Sequence, residues 1–445
     1  MTGRAVRLVT LGCKVNQYET QYVKELLEHA GWTEAAAGER AELCVVNTCT
    51  VTQEGDAKSR QQVRRLAQAN PGADVVVMGC YATRDPASVA SLPGVTRVVT
   101  GKARLAEAFA PYGVAAPLPG ISRFDDHQRA FVKVEDGCLL RCSFCIIPSV
   151  RPALRSRPPG EIVDEVTRLV EAGYREVVLT GIHLGHYGID LSKGRPKAEW
   201  TRLWHLLDRL AALPGDFRVR LSSLEAAEAR DDLIRAMAGH PRVVPHLHLC
   251  LQSGSDRVLA AMRRRYRRKG YLERVSRIRA ALDAPAFSTD VIVGFPGETD
   301  ADFAETCDVL REAGLSRVHV FTYSPRQGTD AARLRDDVSP AVKAARREAL
   351  RQLEGELAEQ YYQSLIGRVL DVLVEGADDQ RPGFARGTAC RYAPVTFPGE
   401  SAALLRQRVS VRALRVEGGV IVGEPLTLPP ARARLPVVSP TMGPT

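Results

Sequence analysis

Three closely spaced cysteines constrain this chain more than any other feature. Cys138, Cys142 and Cys145 are separated by three and then by two residues, and they follow a short apolar run that predicts a β-strand. This spacing brings three thiolates to one face of a short loop. Thiolates are the usual ligands of 4Fe–4S clusters, and a cubane held by only three of them has one iron without a protein ligand. The motif therefore predicts an iron–sulfur cluster with an open coordination position.

Two other interpretations of the motif remain open at this point. A structural zinc site needs a fourth Cys or His close by, and no His lies between His127 and His183. Alternatively, the three cysteines act as small buried hydrophobic residues. Zinc is the weaker alternative because no fourth ligand lies near the motif.

A second set of cysteines follows predicted strands near the N-terminus. Apolar runs at residues 5–10, 43–47 and 74–78 end at Cys13, Cys49 and Cys80, with helical patterns at 17–30 and 54–68 between them. Strands that alternate with helices predict a parallel sheet, whose ligands collect at the carboxyl ends of the strands. A second metal cluster explains all three positions. The alternative is that three core cysteines follow these strands by chance. We interpret the remaining cysteines as packing residues: Cys44, Cys250, Cys307 and Cys390.

The middle of the chain repeats the same alternation. Strands are predicted at residues 131–135, 176–180, 217–221, 246–251, 288–293 and 317–321, and helices at 161–172, 200–213, 231–238, 271–282 and 300–313. Six βα units with right-handed crossovers predict an open, partial barrel with its site at the carboxyl ends of the strands. Polar and glycine residues stand at those ends, among them Gly181, Glu225, Ser253 and Asp290. Each alone fits ordinary turn chemistry, but together they indicate a ligand site.

The last part of the chain has a different pattern. A charged helix is predicted at 341–365, and five short β-like runs follow at 369–374, 384–388, 393–397, 409–414 and 420–426, which predicts a small barrel. The fold class is therefore α/β with a flavodoxin-like sheet, a partial (βα)6 barrel and a small β-barrel. We expect domains at residues 1–116, 124–358 and 363–428, and a disordered tail at 429–445.

Charge and hydropathy limit the class of protein. The net charge of +9 is a weak indication of an acidic partner. The basic run at 263–269 includes Tyr266, so it is interpreted either as a phosphate contact or as a solvated helix end. The sequence contains no secretory signal and no long apolar span, so we expect a cytoplasmic protein without a membrane segment. In a reducing compartment its ten cysteines are not a disulfide framework.

All three parts resemble one family, the radical S-adenosylmethionine (SAM) methylthiotransferases. The string Thr10-Leu11-Gly12-Cys13-Lys14-Val15-Asn16-Gln17-Tyr18-Glu19-Thr20 and the turns Asn47-Thr48-Cys49 and Gly79-Cys80 are similar to its N-terminal signature. Cys138, Cys142 and Cys145, with Ile146-Ile147-Pro148 and Arg155-Ser156-Arg157 after them, resemble its radical SAM core. The closing barrel is similar to the RNA-binding TRAM domain. The sequence departs from the usual pattern of the family at Leu139-Leu140, Pro152 and His183, and none of these positions is a cysteine of the two motifs.

The resemblance implies two 4Fe–4S clusters and SAM as cofactors. Cys138, Cys142 and Cys145 would hold the cluster that cleaves SAM to a 5′-deoxyadenosyl radical, and Cys13, Cys49 and Cys80 the cluster that carries the sulfur. The further implied contacts are Glu225, Ser253, Asp290 and the Gly181 backbone for SAM, and Arg264 and Arg267 for RNA. The implied partners are tRNA, at the anticodon loop of ANN-decoding tRNAs, and a flavodoxin or ferredoxin reductant. We expect a monomer.

Three branches of the family differ in substrate. The string from Leu11, together with Ser288–Thr299 and His319–Pro325, resembles the branch that modifies N6-threonylcarbamoyladenosine at position 37 of tRNA. The alternatives are isopentenyladenosine in tRNA, for which Gly-Cys-Gln-Met-Asn would be expected, and an aspartate of a ribosomal protein, for which Gly-Cys-Pro-Lys-Asn would be. A non-catalytic iron–sulfur protein that binds RNA is a further alternative from a different class.

Overall fold

The structure, a computed structural model, describes residues 4–101 and 104–427, in two compact units that divide between Tyr361 and Tyr362. The first unit begins with a parallel sheet in the order β2-β1-β3-β4-β5, the order of flavodoxin-like folds, as predicted. Its strands are β1 (Arg4–Thr10), β2 (Trp32–Glu34), β3 (Leu43–Thr48), β4 (Asp74–Gly79) and β5 (Val95–Val98). Its helices are α1 (Lys14–His29), α2 (Gln53–Ala69), α3 (Cys80–Arg84), α4 (Pro86–Ala90) and α5 (Leu105–Ala108).

The central strands of this sheet are covered on both faces. Every residue of β3 is buried, so the strand is a continuous apolar run and not an alternating one. Its alternate residues enter different cores: Val45 packs with Leu26 of α1, and Val46 packs with Val63 of α2. The two helices therefore hold the sheet between them, with the carboxyl ends of β1, β3 and β4 on one edge.

The partial barrel consists of two parallel sheets. Their orders are β10-β9-β6 and β11-β12-β13-β14, and a bridge between Val219 and Val243 connects them. The strands are β6 (Ala130–Lys133), β9 (Glu176–Thr180), β10 (Arg218–Leu221), β11 (Ser223–Glu225), β12 (His246–Cys250), β13 (Ala286–Val293) and β14 (Arg317–Thr322), and a small hairpin adds β7 (Glu135–Asp136) and β8 (Arg155–Ser156). Within the described residues β6 and β14 pair on one side only, so the barrel is open between its first and last strands.

Helices cover the outside of the barrel. They are α6 (Ile147–Val150), α7 (Pro159–Glu171), α8 (Leu203–Ala211), α9 (Asp231–Gly239), α10 (Asp256–Ala261), α11 (Arg268–Ala281), α12 (Asp300–Ala313) and α13 (Pro340–Gln363). The predicted helix at 200–213 begins later than expected because residues 197–199 form a separate short turn. The predicted third strand corresponds to β10, and an additional short strand that was not predicted, β11, follows Ser222 and places Glu225 on the second sheet.

The second unit contains a closed barrel in the order β15-β16-β17-β19-β18, which fits the predicted TRAM-like domain. Its elements are β15 (Val369–Ala377), β16 (Phe384–Ala389), β17 (Pro394–Pro398), α14 (Ser401–Leu404), β18 (Arg408–Glu417) and β19 (Val420–Thr427). Gly387 allows β16 to approach β15, since a Cβ there would lie 2.0 Å from the Leu373 carbonyl oxygen. The tail predicted at 429–445 lies outside the described residues. Among the described helices, none has the length and apolarity to cross a membrane.

Candidate active site

The structure brings the three N-terminal cysteines to one edge of the first sheet. Cys13 follows β1 and caps α1, Cys49 follows β3, and Cys80 is the first residue of α3 directly after β4. We call these residues the N-terminal triad. Their thiols interact electrostatically with one another, which confirms that they lie close together. The arrangement follows from topology, because β1, β3 and β4 are adjacent parallel strands.

Two glycines make room for the N-terminal triad. Gly12 has a φ of +102°, and a Cβ there would lie 3.0 Å from the Cys49 sulfur. Gly79 has a φ of +101°, and a Cβ there would lie 2.4 Å from both the nitrogen and the oxygen of the Thr48 backbone. Both positions require the left-handed backbone region that glycine tolerates. The glycines therefore allow the strand ends to approach one another closely.

Cys138, Cys142 and Cys145, which we call the central triad, lie in the loop between β7 and α6. Cys142 accepts a hydrogen bond from Arg264 at 3.1 Å, and Cys138 accepts one from the Leu140 backbone at 3.4 Å. The loop is fixed to the barrel, because Ser143 donates its backbone N–H to the Met262 carbonyl at 3.1 Å and its hydroxyl to the Ala261 carbonyl at 2.8 Å.

The chemistry of both triads fits a cationic metal cluster. Burial raises the pKa of Cys49 and Cys138 to about 11 and that of Cys145 to about 12. Each of these three thiols also accepts a backbone N–H, a contact that favours the thiolate. Thiols in such places become thiolates when a metal supplies positive charge. Three thiolates at each site fit a 4Fe–4S cluster that keeps one iron free of protein.

The residues expected to contact SAM lie at the carboxyl ends of the barrel strands. Glu225 is 3% exposed, and burial raises the pKa of its carboxyl group. It interacts electrostatically with Cys138, and its nearest cation is Arg264 at 3.5 Å. A buried carboxylate next to the central triad fits the hydroxyl or ammonium groups of a ligand such as SAM.

The other expected SAM residues have different surroundings. Gly181 is held against Glu135, since a Cβ there would lie 2.1 Å from the Glu135 carboxylate. Ser253 is fully buried, and its hydroxyl lies 3.4 Å from the Thr306 hydroxyl. Asp290 lies inside the barrel, where its carboxylate is 3.2 Å from His248 Nε2. The structure thus places Glu225 near the central triad, whereas Asp290 contacts His248 of β12.

The two arginines expected to bind RNA lie in different environments. Arg264 is 8% exposed, contacts Cys142, and stacks on Tyr266 with 5.1 Å between the guanidinium and the ring centroid. A surface phosphate contact was expected for Arg264, but the structure differs because the cysteine and the aromatic ring enclose its guanidinium. Arg267 is exposed and donates to the carbonyls of Arg264 and Tyr266 at 2.9 Å.

A buried arginine connects the two triads. Arg151, in the loop after α6, donates to Glu19 at 2.8 and 2.9 Å, to both carboxylate oxygens of Asp136 at 2.7 Å, and to Asn16 at 3.0 Å. Asp136 lies two residues before Cys138, and Asn16 contacts the Cys13 sulfur at 3.9 Å. Arg151 also interacts electrostatically with the thiols of Cys13 and Cys80. A continuous set of polar contacts therefore runs from one triad to the other.

A second set of contacts joins the N-terminal sheet domain to the loop after β14. Arg326, which follows β14, donates to Thr50 at 2.8 Å and to Asp56 at 2.5 Å. Gln53 donates its side-chain amide to the Pro325 carbonyl at 3.2 Å. Both Arg151 and Arg326 were missed as site residues in the sequence. The only available signal was their position in loops next to motifs, since their partners in the N-terminal sheet domain are more than 100 residues away.

Two family matches cover most of the first unit. Residues 5–101 match the uncharacterized protein family UPF0004, and residues 132–320 match the radical SAM superfamily. The threonylcarbamoyladenosine tRNA methylthiotransferase MtaB of Bacillus subtilis (strain 168) is 39% identical over 88% of this chain and 89% of its own length. The protein of the same name from Chlamydia pneumoniae is 37% identical over 94% of this chain and 97% of its own. The tRNA-2-methylthio-N(6)-dimethylallyladenosine synthase of Parafrankia sp. (strain EAN1pec) is 37% identical over 87% of this chain and 82% of its own length.

Solved structures resemble the chain in fold. The radical SAM methyltransferase TsrM from Kitasatospora setae, with cobalamin and a 4Fe–4S cluster bound, covers 86% of this chain and 81% of its own with a TM-score of 0.55. The two sequences are 14% identical, so this similarity concerns the fold alone.

The partial barrel and its cysteine loop define a radical SAM enzyme, and the added sheet carries a second cysteine site. The relatives named above identify the family within this class of enzymes. The chain belongs to the radical SAM methylthiotransferase family. The cofactors of this family are SAM and 4Fe–4S clusters.

Proposed function

We propose that the protein methylthiolates carbon 2 of N6-threonylcarbamoyladenosine at position 37 of tRNA, giving the 2-methylthio derivative. The supporting observation is that two cysteine triads, each suited to a cluster with an open iron, lie in one unit and are joined through Arg151. Relatives named for this reaction are similar over nearly the whole chain. Carbon 2 of adenine resists ordinary acid–base chemistry, so the reaction needs cofactor-borne radical chemistry.

The central and N-terminal triads have separate roles in this proposal. The central triad would hold the cluster at which SAM binds, and the N-terminal triad would hold the cluster that provides sulfur. When bound, these groups supply a carbon-centred radical and a sulfur donor. The protein orients them: Arg264 donates to Cys142, and Arg151 fixes the loop of one triad against the helix of the other.

Contacts with SAM and with RNA complete the proposal. Glu225, with the backbone at Gly181 and Ser253, would bind SAM, and Asp290 would contribute from inside the barrel. The closed barrel of the second unit would hold the anticodon loop of ANN-decoding tRNAs, whose target base leaves the stack. Exposed Arg267 of the first unit would also contact RNA. A flavodoxin or ferredoxin would supply electrons to the monomeric protein.

Nucleoside analysis tests the proposal. The full chain is reconstituted anaerobically with iron and sulfide, and then incubated with SAM, reductant and tRNA that carries threonylcarbamoyladenosine. We expect mass spectrometry of the digested tRNA to detect 2-methylthio-N6-threonylcarbamoyladenosine. A Cys49→Ala variant, which retains the central triad, serves as control and should cleave SAM without forming this product. Absence of the product with the wild-type protein would contradict the proposal.

The dimethylallyl substrate is a second candidate, because synthases for it are also 37% identical to the chain. The same experiment on tRNA carrying dimethylallyladenosine distinguishes the two substrates. Product on that tRNA alone would reassign the substrate and leave the two-cluster chemistry intact. SAM cleavage without either nucleoside product would favour an aspartate of a ribosomal protein as the substrate. A lack of SAM cleavage under reductant would favour a non-catalytic RNA-binding protein.

A further inference from the structure

The interior of the partial barrel is unusually polar. Along β12, His246, His248 and Cys250 alternate with Leu247 and Leu249, which belong to the main hydrophobic core and pack on the opposite face of the strand. Since successive side chains of a strand point to opposite faces, the polar residues line the interior. Barrels that serve only as scaffolds fill this space with branched apolar side chains. The polar interior therefore indicates a space that receives a polar group.

The polar residues form a connected set on three strands. Ser288 of β13 lies 3.0 Å from His246 Nε2 and 3.0 Å from His248 Nδ1. His248 in turn contacts Asp290 at 3.2 Å and stacks on His319 of β14, with 5.6 Å between ring centroids. Burial lowers the pKa of both His246 and His319, which favours the neutral form of these imidazoles. We call His246, His248, His319 and Asp290 the interior polar cluster.

Lys14 reaches this cluster from the other domain. It follows Cys13 directly and is the first residue of α1. Its ammonium lies 6.0 Å from the centroid of the Phe131 ring on β6, and it interacts electrostatically with His319 and His246. Within residues 4–101 and 104–427, no carboxylate lies within ion-pair distance of this half-buried ammonium. A partly desolvated cation next to the N-terminal triad and without a counter-ion favours an anionic ligand.

We propose that Lys14, with His319 beside it, binds the carboxylate of the N6 substituent of the target adenosine and so selects the threonylcarbamoyl group over an apolar substituent. This inference rests on the proposed function. The threonylcarbamoyl group carries a carboxylate, a hydroxyl and a urea, which match an ammonium and neutral imidazoles. A dimethylallyl group would leave these side chains unpaired, and sites built for hydrogen bonds reject such analogues strongly.

Binding measurements with three stem-loops test the inference. The probes are anticodon stem-loops whose target adenosine carries threonylcarbamoyl, its carboxamide analogue without the negative charge, or no substituent. Affinities are measured by fluorescence anisotropy with the reconstituted full-length protein. We expect the wild type to bind the carboxylate probe about tenfold more tightly than the carboxamide probe, the effect of one charge-assisted contact. Lys14→Gln should bring this ratio close to one, and Lys14→Arg should retain most of it.

Two further variants separate recognition from damage to the site. Lys193→Gln, which removes an exposed charge, should keep the wild-type ratio. His319→Gln, on a strand distant in sequence from either triad, should lower the ratio without changing the iron content. Loss of a cluster would weaken the binding of both probes alike. The ratio of the two affinities therefore reports on recognition of the carboxylate. The inference is overturned if Lys14→Gln and His319→Gln both keep the wild-type ratio while the wild type forms the methylthio product. If the wild type instead forms no product from the carboxylate probe, the proposed function fails. Equal binding of the carboxylate probe and the carboxamide probe by the wild type also overturns the inference.

Discussion

At the scale of single residues, the guanidinium of Arg151 determines how the two triads face each other. It is 3% exposed and pairs with Glu19 from the first sheet and with Asp136 from the barrel. Although burial opposes ionisation, Arg151 and Lys133 lower the pKa of Glu19 to about 2. A buried network of this kind contributes little net stability when complete, but it becomes costly when one partner is removed. Its value is geometric, because it fixes one orientation of the two domains.

Replacing Arg151 tests this cost. Arg151→Met leaves the Glu19 and Asp136 carboxylates buried with one fewer cation, so we expect a loss of about 3–5 kcal/mol in the free energy of unfolding. Arg235→Met removes an arginine whose side chain is 75% exposed, and it should change stability by less than about 1 kcal/mol. Anaerobic urea unfolding measures both. A change within 1 kcal/mol for Arg151→Met would show that the network does not hold the domains together.

His246 predicts a specific dependence of stability on pH. Burial holds the pKa of this imidazole well below the ordinary value of 6.5. Below pH 6.5 the unfolded chain therefore binds a proton that the folded chain does not, and stability falls as the pH decreases. We expect His246→Gln to remove about 1.4 kcal/mol per pH unit of this dependence. Urea midpoints at several pH values below 6.5 measure it. Exposed His205→Gln should keep the wild-type dependence, and equal slopes for wild type and His246→Gln would contradict the assignment.

Sequence reasoning reached the cysteines and missed the arginines for one physical reason. A cysteine at the end of a predicted strand has its position fixed by topology, since parallel strands end on a common edge. Arg151 pairs with Glu19 across 132 residues, and no periodicity reports such a contact. Arg264 shows the same limit. Its place in a basic run indicated a surface phosphate contact, but Tyr266 and Cys142 enclose it.

At the scale of elements, long periodic segments were predictable and short ones were not. Helix α12 was predicted over its full range, with Thr299 and Asp302 forming a capping box at its start. Helices α6 and α10 have only four and six residues, too few for a helical pattern in sequence. The break at Ser222 also carries no apolar signal. These short elements position the site, since α6 packs against α3, which begins with Cys80.

Gly79 at the junction of β4 and α3 gives a prediction at this scale. An added Cβ would meet the Thr48 backbone at 2.4 Å, and neither backbone can yield without moving a strand end. We expect Gly79→Ala to displace Cys80 and to lower the iron bound per chain by about half, because only the N-terminal triad is affected. Iron analysis and SAM cleavage measure the two sites separately. Gly160→Ala, where nothing lies within 4 Å, is the matched control. Full iron content in Gly79→Ala would refute this account of the turn.

At the scale of the whole molecule, the cysteine triads and the closed barrel lie in different units of the chain. Both triads, the interior polar cluster and Lys14 lie in the first unit, which ends at Tyr361. The second unit contains the closed barrel and none of the six cysteines of the triads. The residues that are proposed to hold the clusters and SAM therefore all lie in the first unit.

Deletion of residues 362–445 tests this division. Since the central triad and Glu225 remain, we expect reductive cleavage of SAM in the absence of tRNA to stay within about twofold of the wild type, a difference well under 1 kcal/mol in activation free energy. Loss of the barrel should weaken tRNA binding by about tenfold or more and make it less dependent on salt, because fewer phosphate contacts remain. Anisotropy titrations with tRNA at several salt concentrations measure affinity and slope together. Unchanged affinity and slope would mean that the first unit alone binds the tRNA backbone, and the basic run around exposed Arg267 would then be the next surface to replace.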